Sequence, residues 1–209
     1  CKEEFRTSYV YAERALAKHP YIKPHHTFHD LLVIKCDLET SDLVDRGIWK
    51  SSEEDRKRLS DMVADYCYKY VFEILKVSRP VIARLAEMYP LVLVSNFYGN
   101  IETILADFDL QYFKHIVESA VVGIRKPDPR IFQLGVDALR KVTGKSDKEL
   151  PANNILVVGD SFSKDIVPAN EIGCKTVWIK GVGWGNEETD DSIPTFIIKN
   201  IAELENILG

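Results

Sequence analysis

Residues 155–166 read Ile155-Leu156-Val157-Val158-Gly159-Asp160-Ser161-Phe162-Ser163-Lys164-Asp165-Ile166. The first four are apolar and mostly β-branched, long enough for one buried strand. At Gly159 the pattern breaks, and two carboxylates, Asp160 and Asp165, follow around a turn into a helix-like segment. In an open α/β sheet, ligands bind just beyond the carboxyl ends of the strands. Two acids placed there suit a hard cation such as Mg²⁺, which takes one or two carboxylates together with waters and a phosphate. An ordinary strand-to-helix turn, with Asp160 or Ser161 as N-cap, explains the same residues without a ligand. The rest of the chain decides between the two.

At 209 residues, 45% of them hydrophobic, the chain can bury a sizeable core as one domain or one domain with an appendage. A net charge of -5 and a pI near 5.6 argue against nucleic-acid or acidic-membrane partners, which call for a basic patch. There is no run of 18 apolar residues and no basic-then-apolar leader. Cys1, Cys36, Cys67 and Cys174 are scattered, with no CxxC pair, as expected of thiols in a reducing compartment. The composition therefore predicts a soluble cytoplasmic protein.

Two regimes divide the sequence. Residues 1–77 carry helical signals only, and residues 78–209 alternate short apolar runs with amphipathic segments, the pattern of a parallel sheet covered on both faces. In the first, Glu3 to Lys18 places Phe5, Tyr9, Ala12 and Leu16 near helical spacing, and Thr27 is set to cap a second helix. A third helix starts at Ser52 and Asp55, with Leu59, Met62, Val63, Tyr66, Tyr70, Phe72 and Leu75 expected on its buried side and EEDRKR on a solvated face. His25, His26 and His29 lack supporting ligands at matching spacing and read as solvent- or substrate-facing.

In the second regime, Ser78 is expected to cap a new helix through Pro80 to Glu87. The strand Leu91 to Val94 ends in Ser95 and Asn96, and Asn100 is expected to cap the helix IETILADF. HIVESAVVG reads as a strand leading to Lys126-Pro127-Asp128-Pro129. Pro127 forces Lys126 to be extended, and Asp128 with Pro129 launches the helix RIFQLGVDALRKV. KTVWIK and TFIIK are later strands, and Asn200 caps a terminal helix. GVGWG departs from the dinucleotide fingerprint, and the EETDD run reads as part of a solvated loop.

Three strand ends thus carry Ser95 with Asn96, Lys126, and Asp160 with Asp165, converging at one edge of a sheet. A hydroxyl, backbone amides, a lysine and an acid pair make a site for a phosphate dianion. Donors bind its oxygens, the ammonium neutralises it, and Mg²⁺ bridges it to the acids.

These residues resemble the haloacid-dehalogenase-like (HAD) superfamily of hydrolases. LVLVSN is similar to its second motif, RKPDPRIF to its third and VVGDSFSKDI to its fourth, and the helical residues 1–77 resemble its cap domain. The resemblance implies an α/β fold, a Rossmann-like three-layer core with a parallel sheet plus a helical cap. It also implies an Mg²⁺-dependent phosphatase that passes a phosphoryl group from a small phosphate ester to an aspartate and then to water. Carried over, Ser95 binds the phosphoryl group and Asn96 helps shape that substrate-binding pocket, Lys126 stabilises the charge of nucleophile and phosphate, Asp160 is a metal ligand and Asp165 orients the lysine or a metal-bound water.

The family's first motif, a strand followed by DxD that supplies the attacking aspartate, has no match here. Asp37-Leu38-Glu39 lies within a helical pattern. The expectation is that this aspartate lies upstream in a longer protein, that the chain by itself is inactive, and that the absent strand leaves two inner strand edges. Two other functions fit the same motifs: a metal-free 2-haloacid dehalogenase, and a catalytically silent binding protein on the same fold. The sequence reading leaves the oligomeric state open.

Overall fold

Each apolar run after residue 90 becomes a short parallel strand. β1 (Val92–Ser95) pairs with β2 (His115–Glu118), while β3 (Leu156–Gly159), β4 (Lys175–Ile179) and β5 (Phe196–Ile198) form a second sheet in the order β3-β4-β5. The structure, a computed structural model, describes residues 1–181 and 188–208. GVGWG and the start of the EETDD run therefore fall largely outside the described residues. The helices are α1 (Lys2–Lys18), α2 (Phe28–Asp45), α3 (Glu53–Met88), α4 (Ile101–Asp107), α5 (Ser119–Val122), α6 (Arg130–Thr143), α7 (Val167–Glu171) and α8 (Leu204–Leu208). Two compact units result: Cys1–Lys76 with Phe97–Gln111, and Val77–Asn96 with Tyr112–Gly209. The expected division at residue 77 thus gains Phe97–Gln111 on the helical side.

In the sheet-bearing unit, alternate strand residues point to opposite helical layers. Val92, Val94, Val117, Ile155 and Val157 pack on Ile131, Phe132 and Val136 of α6. Leu91, Leu156 and Val177 pack on Val81 and Leu85 of α3 and Leu204 of α8. Burying each of the α6 anchors contributes about 1.5–3 kcal/mol. Both sheets therefore share both helical layers, a three-layer α/β core. α6 comes so close to β1 that a Cβ at Gly135 would stand 2.7 Å from Val94 Cγ2. β1 pairs only with β2, and β3 only with β4, so each keeps one edge without a strand partner among the described residues. Every residue of β1 is partly exposed and Val158 of β3 is 39% exposed, whereas Thr176, Val177 and Trp178 of β4 are buried.

The helical unit is built on Ala12 and Leu16, Leu31 and Cys36, Ala64 and Leu75, and the α4 residues Ile104 and Leu105. Thr27 caps α2 as expected, accepting from Asp30 N–H while the Asp30 carboxylate reaches back to Thr27 N–H. Phe108 gathers the rings of Phe28, Tyr68 and Phe72 at 5.4–6.0 Å. A polar seam runs through the unit: Thr40 Oγ1 and Ser60 Oγ lie 2.8 Å apart, Ser8 Oγ donates to Asp42 Oδ2 (2.6 Å), and Tyr98 OH donates to Glu13 Oε2 (2.9 Å).

Several expectations are corrected. α3 does not stop for a new helix at Ser78; it continues through Pro80, which removes one ladder N–H, because Val81 and Leu85 are buried just beyond it. Leu59, Met62, Val63, Tyr66 and Tyr70 are exposed, and the buried side of α3 is Ser60, Ala64 and Leu75. Arg56, assigned to a solvated face, turns inward to the carboxylate and backbone oxygen of Asp37. Asn100 does not cap α4 with its side chain; its Nδ2 donates to His26 O (2.9 Å).

All four cysteines are free thiols. Burial, with help from the Glu39 charge, pushes Cys36 up to about 12, and burial pushes Cys174 up to about 11. A raised thiol pKa leaves less reactive thiolate at a given pH. Iodoacetamide at pH 8 should therefore label exposed Cys1 more than about a hundredfold faster than Cys36 or Cys174. Mass spectrometry of timed samples checks this, and equal rates in the folded protein would contradict the burial of both thiols.

Candidate active site

The site grows from the end of β1. Ser95 is its last residue, in register with Glu118 of β2, and Asn96 follows directly. The Asn96 side chain clamps the backbone of Lys126, donating from Nδ2 to its carbonyl oxygen (3.0 Å) and accepting its N–H at Oδ1 (2.8 Å). Lys126 does not follow β2 directly, as the strand reading expects. The helical turn α5 and Gly123, in the left-handed region at φ 70°, intervene.

From that clamp the Lys126 side chain reaches β3's turn, where Nζ donates to Asp165 Oδ1 at 2.6 Å. Asp165 Oδ2 accepts the Ser161 N–H at 3.0 Å. The two side chains are only 15% and 6% exposed. Each ion thus replaces lost water with a partner, which a buried charge requires. Ser161 also caps the following turn, its Oγ accepting from Lys164 N–H (3.3 Å). Asp165 lies directly against Gly159: a Cβ there would stand 2.3 Å from Asp165 Cβ. The glycine is thus needed for close approach.

The acid pair divides in the structure. Asp165 is committed to Lys126 and Ser161, whereas the Asp160 carboxylate is exposed and takes no hydrogen bond or ion pair among the described residues. Its backbone is fixed by Trp178, whose Nε1 donates to Asp160 O at 3.0 Å. No pattern in the sequence announces that contact of Trp178, nor the role of the Ser161 amide; Gly159 is visible only as the break in an apolar run. The chemistry available among the described residues is a fixed ammonium, a hydroxyl at a strand end and the unpaired Asp160 carboxylate. No three His, Cys, Asp or Glu side chains gather as a metal cage among the described residues. Mg²⁺ needs only one or two protein carboxylates beside waters and a substrate phosphate, so Asp160 fits one corner of such a site.

His25, His26 and His29 lie in the helical unit. His29 Nε2 is 2.7 Å from Asp65 Oδ1, its ring against Tyr68, and His26 Nδ1 accepts Lys23 N–H at 3.2 Å. Elsewhere in that unit, Tyr9 lies under the Lys35 ammonium and Arg46 pairs with Asp42.

A parallel three-layer core, a second, helical unit and a lysine–carboxylate pair beyond the strands define an α/β protein with an added helical unit. The model of haloacid dehalogenase-like hydrolases matches residues 41–173, and the chain belongs to that family. Glyceraldehyde 3-phosphate phosphatase of Pyrococcus abyssi is 33% identical over 106 residues, 49% of this chain and 41% of the relative. The (S)-2-haloacid dehalogenase of Pseudomonas putida is 27% identical over 158 residues, 75% of this chain and 63% of the relative. The chain thus spans well under half of the first relative's length and less than two thirds of the second's. The crystal structure of the HAD-hydrolase YfnB from Bacillus subtilis, bound to magnesium, shares the fold at a TM-score of 0.56 and 20% identity, covering 99% of this chain and 81% of that one. None of the described helices is long and apolar enough to cross a membrane.

Asp165→Ala leaves the Lys126 ammonium buried without its partner and should lower unfolding free energy by about 3–5 kcal/mol. Gly159→Ala should cost about 1–3 kcal/mol, since Asp165 has to move. Urea melts of the two variants check both; an unchanged midpoint for Asp165→Ala would mean the pair is not desolvated.

Proposed function

We propose that this chain carries the lysine–carboxylate part of a hydrolase site for a small anionic substrate, a phosphate ester in the first reading. The observation that carries it is the exposed carboxylate of Asp160, unpaired among the described residues, after the same strand as the buried Lys126–Asp165 pair. Ser95 and Asn96 would hold the transferring group, and Lys126 would stabilise its negative charge. Asp165 would hold the ammonium in place through their 2.6 Å hydrogen bond. Asp160 would hold Mg²⁺, which in this family supplies charge neutralisation at the phosphoryl oxygens. The attacking carboxylate would come from an aspartate outside this sequence, on a strand laid along the free edges of β1 and β3. The partly exposed β1 and Val158 support that placement. The chain by itself would then lack turnover. A cytoplasmic location fits its thiols.

A second reading is hydrolytic dehalogenation of a 2-haloacid. Sequence similarity gives it the wider support, because the Pseudomonas putida dehalogenase aligns with more of this chain than the archaeal phosphatase does. Lys126 and Asp165 serve a carboxylate substrate as well as a phosphate, so Asp160 is what separates the two.

The whole gene product should hydrolyse p-nitrophenyl phosphate only with Mg²⁺. Asp160→Asn should raise the Mg²⁺ needed for half-maximal turnover by about tenfold or more, and Lys126→Met should slow turnover by about 100- to 1000-fold. Chloride release from 2-chloropropionate without metal, unaffected by Asp160→Asn, would replace this reading with the second. Neither activity in a well-folded sample would leave a binding protein.

A further inference from the structure

α3 carries a second apolar stripe, away from its buried residues. Leu59, Met62, Tyr66, Tyr70, Ile74 and Val77 are all exposed, from 40% at Leu59 to 72% at Tyr66. At 3.6 residues per turn they share an arc of about 120°, on the other side of the helix from Ser60, Ala64 and Leu75. With neighbouring Val63 they expose roughly 700 Å², taking about 200 Å² per large side chain. The largest patch on a typical monomer is roughly 300–600 Å². Each partner in a standard stable interface contributes about 800 Å².

The spacing identifies the occupant. The six positions lie 9, 6 and 2 residues to either side of position 68, so the stripe reads alike from both ends. Two antiparallel copies crossing near that point set Leu59 against the partner's Val77, Met62 against the partner's Ile74 and Tyr66 against the partner's Tyr70. A two-fold axis then makes every contact twice, as an isologous interface requires. Glu73 lies inside the arc and would face the partner's Val63, but its charge is already paired with Lys76 at 2.6 Å, and at the stripe's end Arg58 pairs with Asp55 at 3.3 Å. Paired central tyrosines are also the residue type enriched at interface cores.

We propose that this protein is a two-fold dimer held by antiparallel packing of α3 on α3, centred near residue 68. Sedimentation equilibrium of the whole protein should give twice the chain mass. Tyr66→Glu and Tyr70→Lys, each in an exposed position, should each weaken dimerisation at least tenfold with unchanged circular dichroism. The double variant should restore it, because Tyr66→Glu in one copy then faces Tyr70→Lys in the other. A monomeric wild type overturns the proposal, including one whose Tyr66 and Tyr70 resist nitration because another segment or protein covers them. So does a dimer indifferent to Tyr66→Glu, which would be held by another face. Failure of the double variant to recover what the single variants lose overturns the antiparallel register.

Discussion

The contact between the Lys126 ammonium and the Asp165 carboxylate is the constraint around which the sheet-bearing unit is arranged. Neither ion survives burial alone, so the backbone must deliver both to within hydrogen-bond distance. Asn96 does this for Lys126 by holding its backbone on both sides, and the Ser161 amide does it for Asp165. Gly159 leaves the space that Asp165 occupies. Those residues come from the end of β1, the loop before α6 and the turn after β3, so the bond joins the two sheets. The same arrangement leaves Asp160 facing outward, its backbone fixed by Trp178 and its carboxylate available.

Much of this was legible in the residues. Runs such as Leu91 to Val94 and Ile155 to Val158 announce strands because no other short element buries four apolar residues in a row. Thr27 with Asp30 announces a helix start through a local hydrogen-bond pattern. Ser95 is legible as a polar residue placed where a strand ends and Asp165 as one of two acids around the turn after β3, whereas Lys126 stands beyond an intervening helical turn that its strand reading does not anticipate. The helical unit was harder. α3 has two apolar stripes, and periodicity measures that a helix is amphipathic, not which stripe finds a partner. Leu59 to Tyr70 were therefore assigned to the interior, although small residues, Ser60 and Ala64, are what let the neighbouring helices approach. Ser78 and Pro80 look like a helix start because the local signal ignores the burial of Val81 and Leu85 that carries the helix through. Arg56 sits in a charged run, yet Asp37 on α2 draws it inward. Contacts like these, between residues far apart in sequence, leave no mark on spacing.

The two units also solve burial differently. The sheet-bearing unit buries aliphatic faces against α6 and the end of α3, with polar groups confined to the strand ends. The helical unit threads hydrogen bonds through its interior: Thr40 to Ser60, Ser8 to Asp42, Lys35 to Glu13 and Tyr98 to Glu13. Burial raises Glu39 above the usual carboxylate range there, against the opposing pull of Lys35. Such a polar interior ties side-chain directions as well as distances, since each bond is lost if a helix rotates about its axis.

The separation of β1–β2 from β3–β4–β5 has a mechanical meaning. Within each sheet, sliding one strand past another breaks several backbone hydrogen bonds at once. Between the sheets no such ladder runs among the described residues, and resistance comes from α6, α3 and side-chain contacts. Within this chain the seam is therefore bridged by side chains alone, and the strand proposed to lie along β1 and β3 would close it with backbone ladders on both sides. The Lys126–Asp165 bond spans that seam, so it ties the β1 side of the candidate site to the β3 side without help from that strand.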